Sequence, residues 1–114
     1  MNVNDNAACV LVYGSDPVLL ETRAKVIQTR GFSTCEAASE AELIERMKAA
    51  RCKVVVLCHT LSESEAARAA QLARQEIPHI KIIAMAHHSE AFDESLGGFT
   101  NPHDLLAALS RVYH

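Results

Sequence analysis

The sequence has no cluster of basic residues, no CxxC pair, no apolar run of membrane-spanning length and no basic-then-apolar leader. Each absence removes a class of function. Binding to a phosphate backbone rests on clustered lysine and arginine, whereas here 11 basic residues are dispersed among 14 acidic ones, for a formal net charge of −3. Nucleic acid is therefore not expected as a direct partner. The longest apolar stretches, residues 54–58 and 82–86, are strand-sized, far below the roughly 20 residues that a helix needs to cross a bilayer. The first eight residues are polar and include Asp5, so neither a secretory signal nor a membrane anchor is expected. Cys9, Cys35, Cys52 and Cys58 lie in or beside predicted strands and read as reduced thiols of a cytoplasmic protein. There is no internal repeat, linker or low-complexity segment.

What is present is an ordinary globular composition, with 49% apolar and 22% charged residues. A chain of 114 residues suffices for one core. Residues 1–7 are expected to be disordered or extended, and residues 8–114 to form a single domain. Residues 9–13 are apolar and end at Gly14-Ser15-Asp16-Pro17, the pattern of a buried strand running into a helix with Pro17 in its first turn and Ser15 or Asp16 as its cap. Leu20, Ala24 and Ile27 recur at helical spacing, with Glu21, Arg23, Lys25 and Gln28 on the other face, and Gly31 stops the helix. Residues 32–37 predict a second strand. Ser39 and Glu42 form a capping box for a helix that turns Leu43, Met47 and Ala50 inward. Residues 53–58 hold the continuous run Val54-Val55-Val56-Leu57, and burial on both faces is the mark of a central parallel strand. Ser62 and Glu65 repeat the capping box ahead of an alanine-rich helix that Pro78 ends. Residues 80–86 predict a fourth strand and 97–101 a weak fifth. Pro102 opens a last helix with Leu105, Leu109 and Val112 on one stripe.

Strands alternating with helices of this length imply right-handed crossovers and an α/β fold: a five-stranded parallel sheet with helices on both faces. This order resembles the receiver domain of two-component response regulators, a flavodoxin-like fold, over nearly the whole chain. Residues 10–17 look like the family's first strand and acidic turn, 53–58 like the strand that ends at the phospho-acceptor aspartate, and Thr100-Asn101-Pro102 like its Thr-Lys-Pro. The resemblance also raises a cis peptide at Asn101-Pro102, because receivers commonly have one there.

The departures from the family pattern define the expected function. The acidic pair that would hold Mg²⁺ reads Gly14 and Ser15, with Asp16 one step on. The acceptor position carries Cys58. Ala86 stands for the threonine that closes the fourth strand, neutral Asn101 for the phosphate-pairing lysine, and Gly98 for the aromatic switch residue. Phosphoryl transfer rests on positioning and charge neutralisation, so losing these groups together removes the mechanism rather than a fraction of it. A displaced acceptor such as Asp16 would lack an in-line carboxylate and a neutralising lysine. Residues 86–101 are also too few for the family's fourth helix, which is expected to shrink to a turn or two around residues 89–96.

The sequence thus predicts a non-enzymatic, stand-alone degenerate receiver without attached output domain or cofactor. It would act by phosphorylation-independent contact with a protein partner or a second copy, through the face that the fourth helix, fifth strand and last helix form in receivers. A different class of reading remains open. Ligands bind beyond the carboxyl ends of strands in open parallel sheets, where Cys58, His59, His87 and His88 converge with Asp16 and His103 nearby. Cys and His suit a borderline metal such as Zn²⁺, and a cation beside Cys58 would suit redox sensing.

Overall fold

Val54-Val55-Val56-Leu57, the most apolar run of the chain, lies at the centre of the sheet with every side chain at most 1% exposed. The computed structural model describes residues 9–49, 51–97 and 101–113. The expected structure of residues 1–7 and the positions of Ala50, Gly98 and Thr100 lie outside these. Five parallel strands, β1 (Cys9–Tyr13), β2 (Ser33–Ala37), β3 (Cys52–Leu57), β4 (Lys81–Met85) and β5 (Glu94–Leu96), are ordered β2-β1-β3-β4-β5. This is the flavodoxin-like order, whose connection changes direction at β1 and β3.

Four helices cover the sheet: α1 (Pro17–Gln28), α2 (Glu40–Ala49), α3 (Glu63–Glu76) and α4 (Pro102–Val112). Each starts where the sequence supplies an oxygen for orphan backbone amides. The Ser62–Glu65 capping box opens α3 with both reciprocal bonds. Before α2, the Ser39 hydroxyl accepts from the Glu42 amide at 3.2 Å, and the Glu42 carboxylate accepts from the Ala38 amide at 2.7 Å. Gly31, at φ +85°, takes the left-handed turn that follows α1, a conformation that a β-carbon disfavours.

Strand alternation divides the core in two. Leu11, Val55, Leu57, Ile82 and Ala84 meet Leu43 and Met47 of α2 and the alanine stripe of α3. Val10, Val12, Val54, Val56 and Ile83 meet Leu20, Ala24 and Ile27 of α1 and Leu105 and Leu109 of α4. Each such side chain removed from water contributes about 1.5–3 kcal/mol before chain entropy is counted. Small alanines let α3 lie close on the sheet: Ala66, Ala69, Ala70 and Ala73 are all buried.

The region after β4 corrects two expectations. The fifth strand is Glu94–Leu96, in register with Ile83–Met85, ahead of the expected 97–101, of which residues 98–100 lie outside the described residues. Nor is there a shortened fourth helix. The eight residues from 86 to 93 contain one turn, closed by the Phe92 amide donating to the Ser89 carbonyl at 3.2 Å. A helical crossover needs about 10–12 residues, so this connection turns back too early. Asp93 fixes the early return. Its amide donates to the Ile82 carbonyl at 2.8 Å. Its carboxylate accepts from the Ile82 amide at 2.7 Å and from Arg74 at 2.9 Å. Glu-Ser-Leu carries no strand propensity of its own, so the ladder with β4 decides the assignment.

Candidate functional site at the carboxyl rim of the sheet

Gly14, Ser15 and Asp16 follow β1, Cys58 follows β3, Ala86 follows β4 and Asn101 precedes α4. Gly14 is packed so tightly that a β-carbon there would lie 2.9 Å from Cys58 Cβ, 3.0 Å from Thr60 Oγ1 and 3.2 Å from Leu20 Cδ2. No side chain of any kind fits at Gly14 unless the β3–α3 loop moves. The next residue is tied to the same loop: the Ser15 amide donates to Thr60 Oγ1 at 3.1 Å, and the Ser15 hydroxyl to the Thr60 carbonyl at 3.4 Å.

Two polar residues of the set serve as helix caps. Asp16 is the N-cap of α1, its carboxylate accepting from the Val18 amide at 3.0 Å. Asn101 caps α4 in the same way, accepting from the Asp104 amide at 2.8 Å. The peptide bond from Asn101 to Pro102 is trans. Ala86 holds φ at +80°, and its amide donates to the Leu96 carbonyl at 2.7 Å, so this residue closes the β4–β5 ladder rather than presenting a hydroxyl.

Cys58 is 1% exposed and lies in the core layer beneath α1 and α4. Burial raises its thiol above the ordinary range, and the charge and hydrogen bond of Arg23 offset this only in part. A buried neutral thiol is a poor nucleophile. The histidines do not converge on it. His59 Nδ1 accepts from Arg23 Nη2 at 2.8 Å, which places its proton on Nε2, while His87 Nε2 donates to the Leu61 carbonyl at 2.8 Å. His88 and His103 are exposed. Among the described residues no three His, Cys, Asp or Glu side chains are arranged to hold a metal.

Two residues at the rim escaped the sequence reading. Arg23, assigned to the solvent face of α1, crosses to the rim, with Nε buried and without a hydrogen-bond partner. Its position three residues after Leu20 and one before Ala24 borders the apolar stripe, which was the available signal. Thr60, which ties Ser15 to the β3–α3 loop, carries no sequence signal. A cleft of about 350 Å³ opens beside the first loop, lined by Tyr13, Gly14, Ser15, Glu40, Glu65 and Arg68 among others. The Glu40–Arg68 ion pair, at 2.7 Å, spans it. Burial, then the Glu40 and Glu65 carboxylates, raise the Tyr13 phenol above its usual range.

Three solved structures decide the architecture. A CheY-like receiver domain protein of Methanospirillum hungatei JF-1 superposes with a TM-score of 0.79 at 17% identity over 92% of each chain. A receiver domain protein of Clostridium thermocellum gives 0.79 at 18%, covering 93% of this chain and 94% of that one. The fold is that of a response-regulator receiver. The Vibrio cholerae chemotaxis protein CheY4 gives 0.79 at 19%, covering 93% and 98%. No family model and no curated protein sequence matches the chain. At such identities the likeness is one of receiver fold, and the rim must be read from its own residues. Among the described residues no helix is long and apolar enough to cross a membrane.

Proposed function

We propose that the chain is a receiver-fold signalling module that works without phosphorylation, through contact with a protein partner or a second copy. The single observation that carries this reading is the packing of Gly14 against Cys58 and Thr60. Where a receiver keeps a metal-holding carboxylate beside its acceptor, this chain has a glycine pressed so close to Cys58 and Thr60 that no side chain fits there without a shift. Arg23 supplies a permanent cation to the rim, and Asp16 and Asn101 are engaged as caps. Nothing in that arrangement awaits a phosphoryl group.

The surface offered to the partner is the one formed by the β4–β5 turn, β5 and the exposed side of α4. It differs from a receiver's in lacking the intervening helix, and it is braced by Arg111, which donates to Glu94 at 2.8 Å across α4 and β5. A module of this kind would be controlled by abundance or partner supply, since no covalent switch is left at the rim. The deciding experiment is native mass spectrometry before and after acetyl phosphate with Mg²⁺. The expected spectrum shows no phosphoryl adduct, in the wild type and in Cys58→Asp alike, because one carboxylate restores neither the metal ligands nor the lysine. A stoichiometric adduct on the wild type would overturn the proposal.

A further inference from the structure

Away from the rim, at the amino end of the sheet, an open cavity of about 540 Å³ lies between the end of α3 and the starts of β3 and β4. Its charged and polar lining is Lys53, Arg74, His79, Lys81 and Asp93, while Ile77, Pro78 and Ile80 give it an apolar side. The chain as a whole carries a net charge of −3, so a cavity with three lysine and arginine cations and one carboxylate stands out against its surface.

The single carboxylate is already engaged. Asp93 accepts from Arg74 at 2.9 Å and from the Ile82 amide at 2.7 Å. Arg74 donates to it through Nη2, and Arg74 Nε is buried without a hydrogen-bond partner. Lys53 and Lys81 are exposed, and neither forms an ion pair among the described residues. The Lys53 ammonium lies 4.8 Å from the centre of the Tyr113 ring, a contact that leaves its charge uncompensated. Glu76, which ends α3, is paired with Lys48 at 3.7 Å. About two positive charges therefore remain in the lining, and the carboxyl-terminal dipole of α3 offsets roughly half of one. The sheet, not a loop, places the two lysines. Lys81 is the ladder partner of Val54, so Lys53 stands one position away on the neighbouring strand.

We propose that this cavity binds a small phosphomonoester with an apolar body, of the size of a nucleoside monophosphate. A phosphomonoester carries about −1.5 to −2 charge at neutral pH, which matches the excess in the lining. Ammonium groups meet phosphate as point charges and need no planar, bidentate approach. The volume falls within the roughly 300–1,000 Å³ of small-molecule sites and exceeds what a bare phosphate ion fills. Lys53, Lys81 and Arg74 hold the phosphate, and Ile77, Pro78 and Ile80 take the body. No covalent step is involved, and the site shares no residue with the carboxyl rim.

The test titrates the full-length protein with AMP, adenosine and inorganic phosphate and reads the heat of binding. AMP is expected to bind saturably, one molecule per chain, at least about tenfold more tightly than either adenosine or inorganic phosphate. Raising NaCl from about 50 to about 300 mM should weaken AMP several-fold, because exposed charges are screened, and leave adenosine unchanged. The exposed double variant Lys53→Gln/Lys81→Gln should unfold as cooperatively as the wild type and bind AMP about tenfold more weakly. Lys25→Gln, which removes an exposed charge on α1, should change nothing. No saturable AMP binding up to about 10 mM, equal affinity for AMP and inorganic phosphate, or equal losses in the Lys53/Lys81 and Lys25 variants would each overturn the proposal.

Discussion

The two ends of one sheet treat sulfur in opposite ways. At the carboxyl rim Cys58 is alone, 1% exposed and packed against Gly14, and its neighbours are engaged in caps and loop bonds. Toward the amino end the Cys9 and Cys35 thiols lie 3.1 Å apart, and buried Cys52 borders an open cavity lined also by Lys53, Arg74, His79 and Lys81. In an open parallel sheet the carboxyl rim is the usual place for ligands. Here Gly14 at that rim is part of the packing, and the contact between two thiols lies toward the other end. Fold therefore locates where a site could be, and only the residues say whether one is there.

Filling the rim is the sharpest way to break this comparison. Gly14→Asp should lower stability by about 2–4 kcal/mol in urea unfolding, because its β-carbon meets Cys58 and Thr60 with no room to yield. If Gly14→Asp folded with unchanged stability and gained Mg²⁺ affinity, the rim would be an empty site rather than a filled one.

A smaller effect is expected at the amino end. The neighbouring thiols act on one another with mixed sign, and with burial added Cys9 is raised to about 11 and Cys35 and Cys52 to about 12, against an ordinary 9.0. These thiols stay neutral in the folded chain while the unfolded chain ionises, so their contribution is fully present below about pH 9. It is lost as pH rises from there toward 11–12. In reducing buffer the melting temperature should fall across that window, and Cys9→Ser/Cys35→Ser/Cys52→Ser should flatten the fall.

The smallest effect separates cap from ligand. Asn101→Ala should cost about 1 kcal/mol through loss of the α4 cap and leave any response to acetyl phosphate unchanged. Thermal unfolding of the variant with and without the reagent checks both halves. A change in reagent response, without loss of stability, would return Asn101 to a phosphate-facing role.

Much of the architecture was legible because it rests on local chemistry. The apolar run 54–57, the two capping boxes and the Pro17 and Pro102 helix starts each announce their element within a few residues. The fifth strand was misplaced because Glu94–Leu96 has no intrinsic signal and is a strand only through its ladder to β4 and the Asp93 bonds. Of the expected site residues, Asp16 and Asn101 proved to be helix caps and Cys58 a buried thiol, and Arg23 and Thr60, which bond to His59 and Ser15 at the rim, were missed. Their roles depend on how far a side chain reaches from α1 and on how the β3–α3 loop closes.

By itself the sequence determined the order of elements, the two-sided burial of the central strand and the absence of a carboxylate at position 58, because periodicity, caps and residue identity are local properties. Only the tertiary structure decided that Gly14 has no room for a side chain, that Asp16 and Asn101 are caps, and that the Cys9 and Cys35 thiols meet. The physical reason is register. Which residues of β1, β2 and β3 stand side by side is fixed by hydrogen-bonded pairing between segments distant in the chain, and one residue of slip would send each thiol to the other face of the sheet.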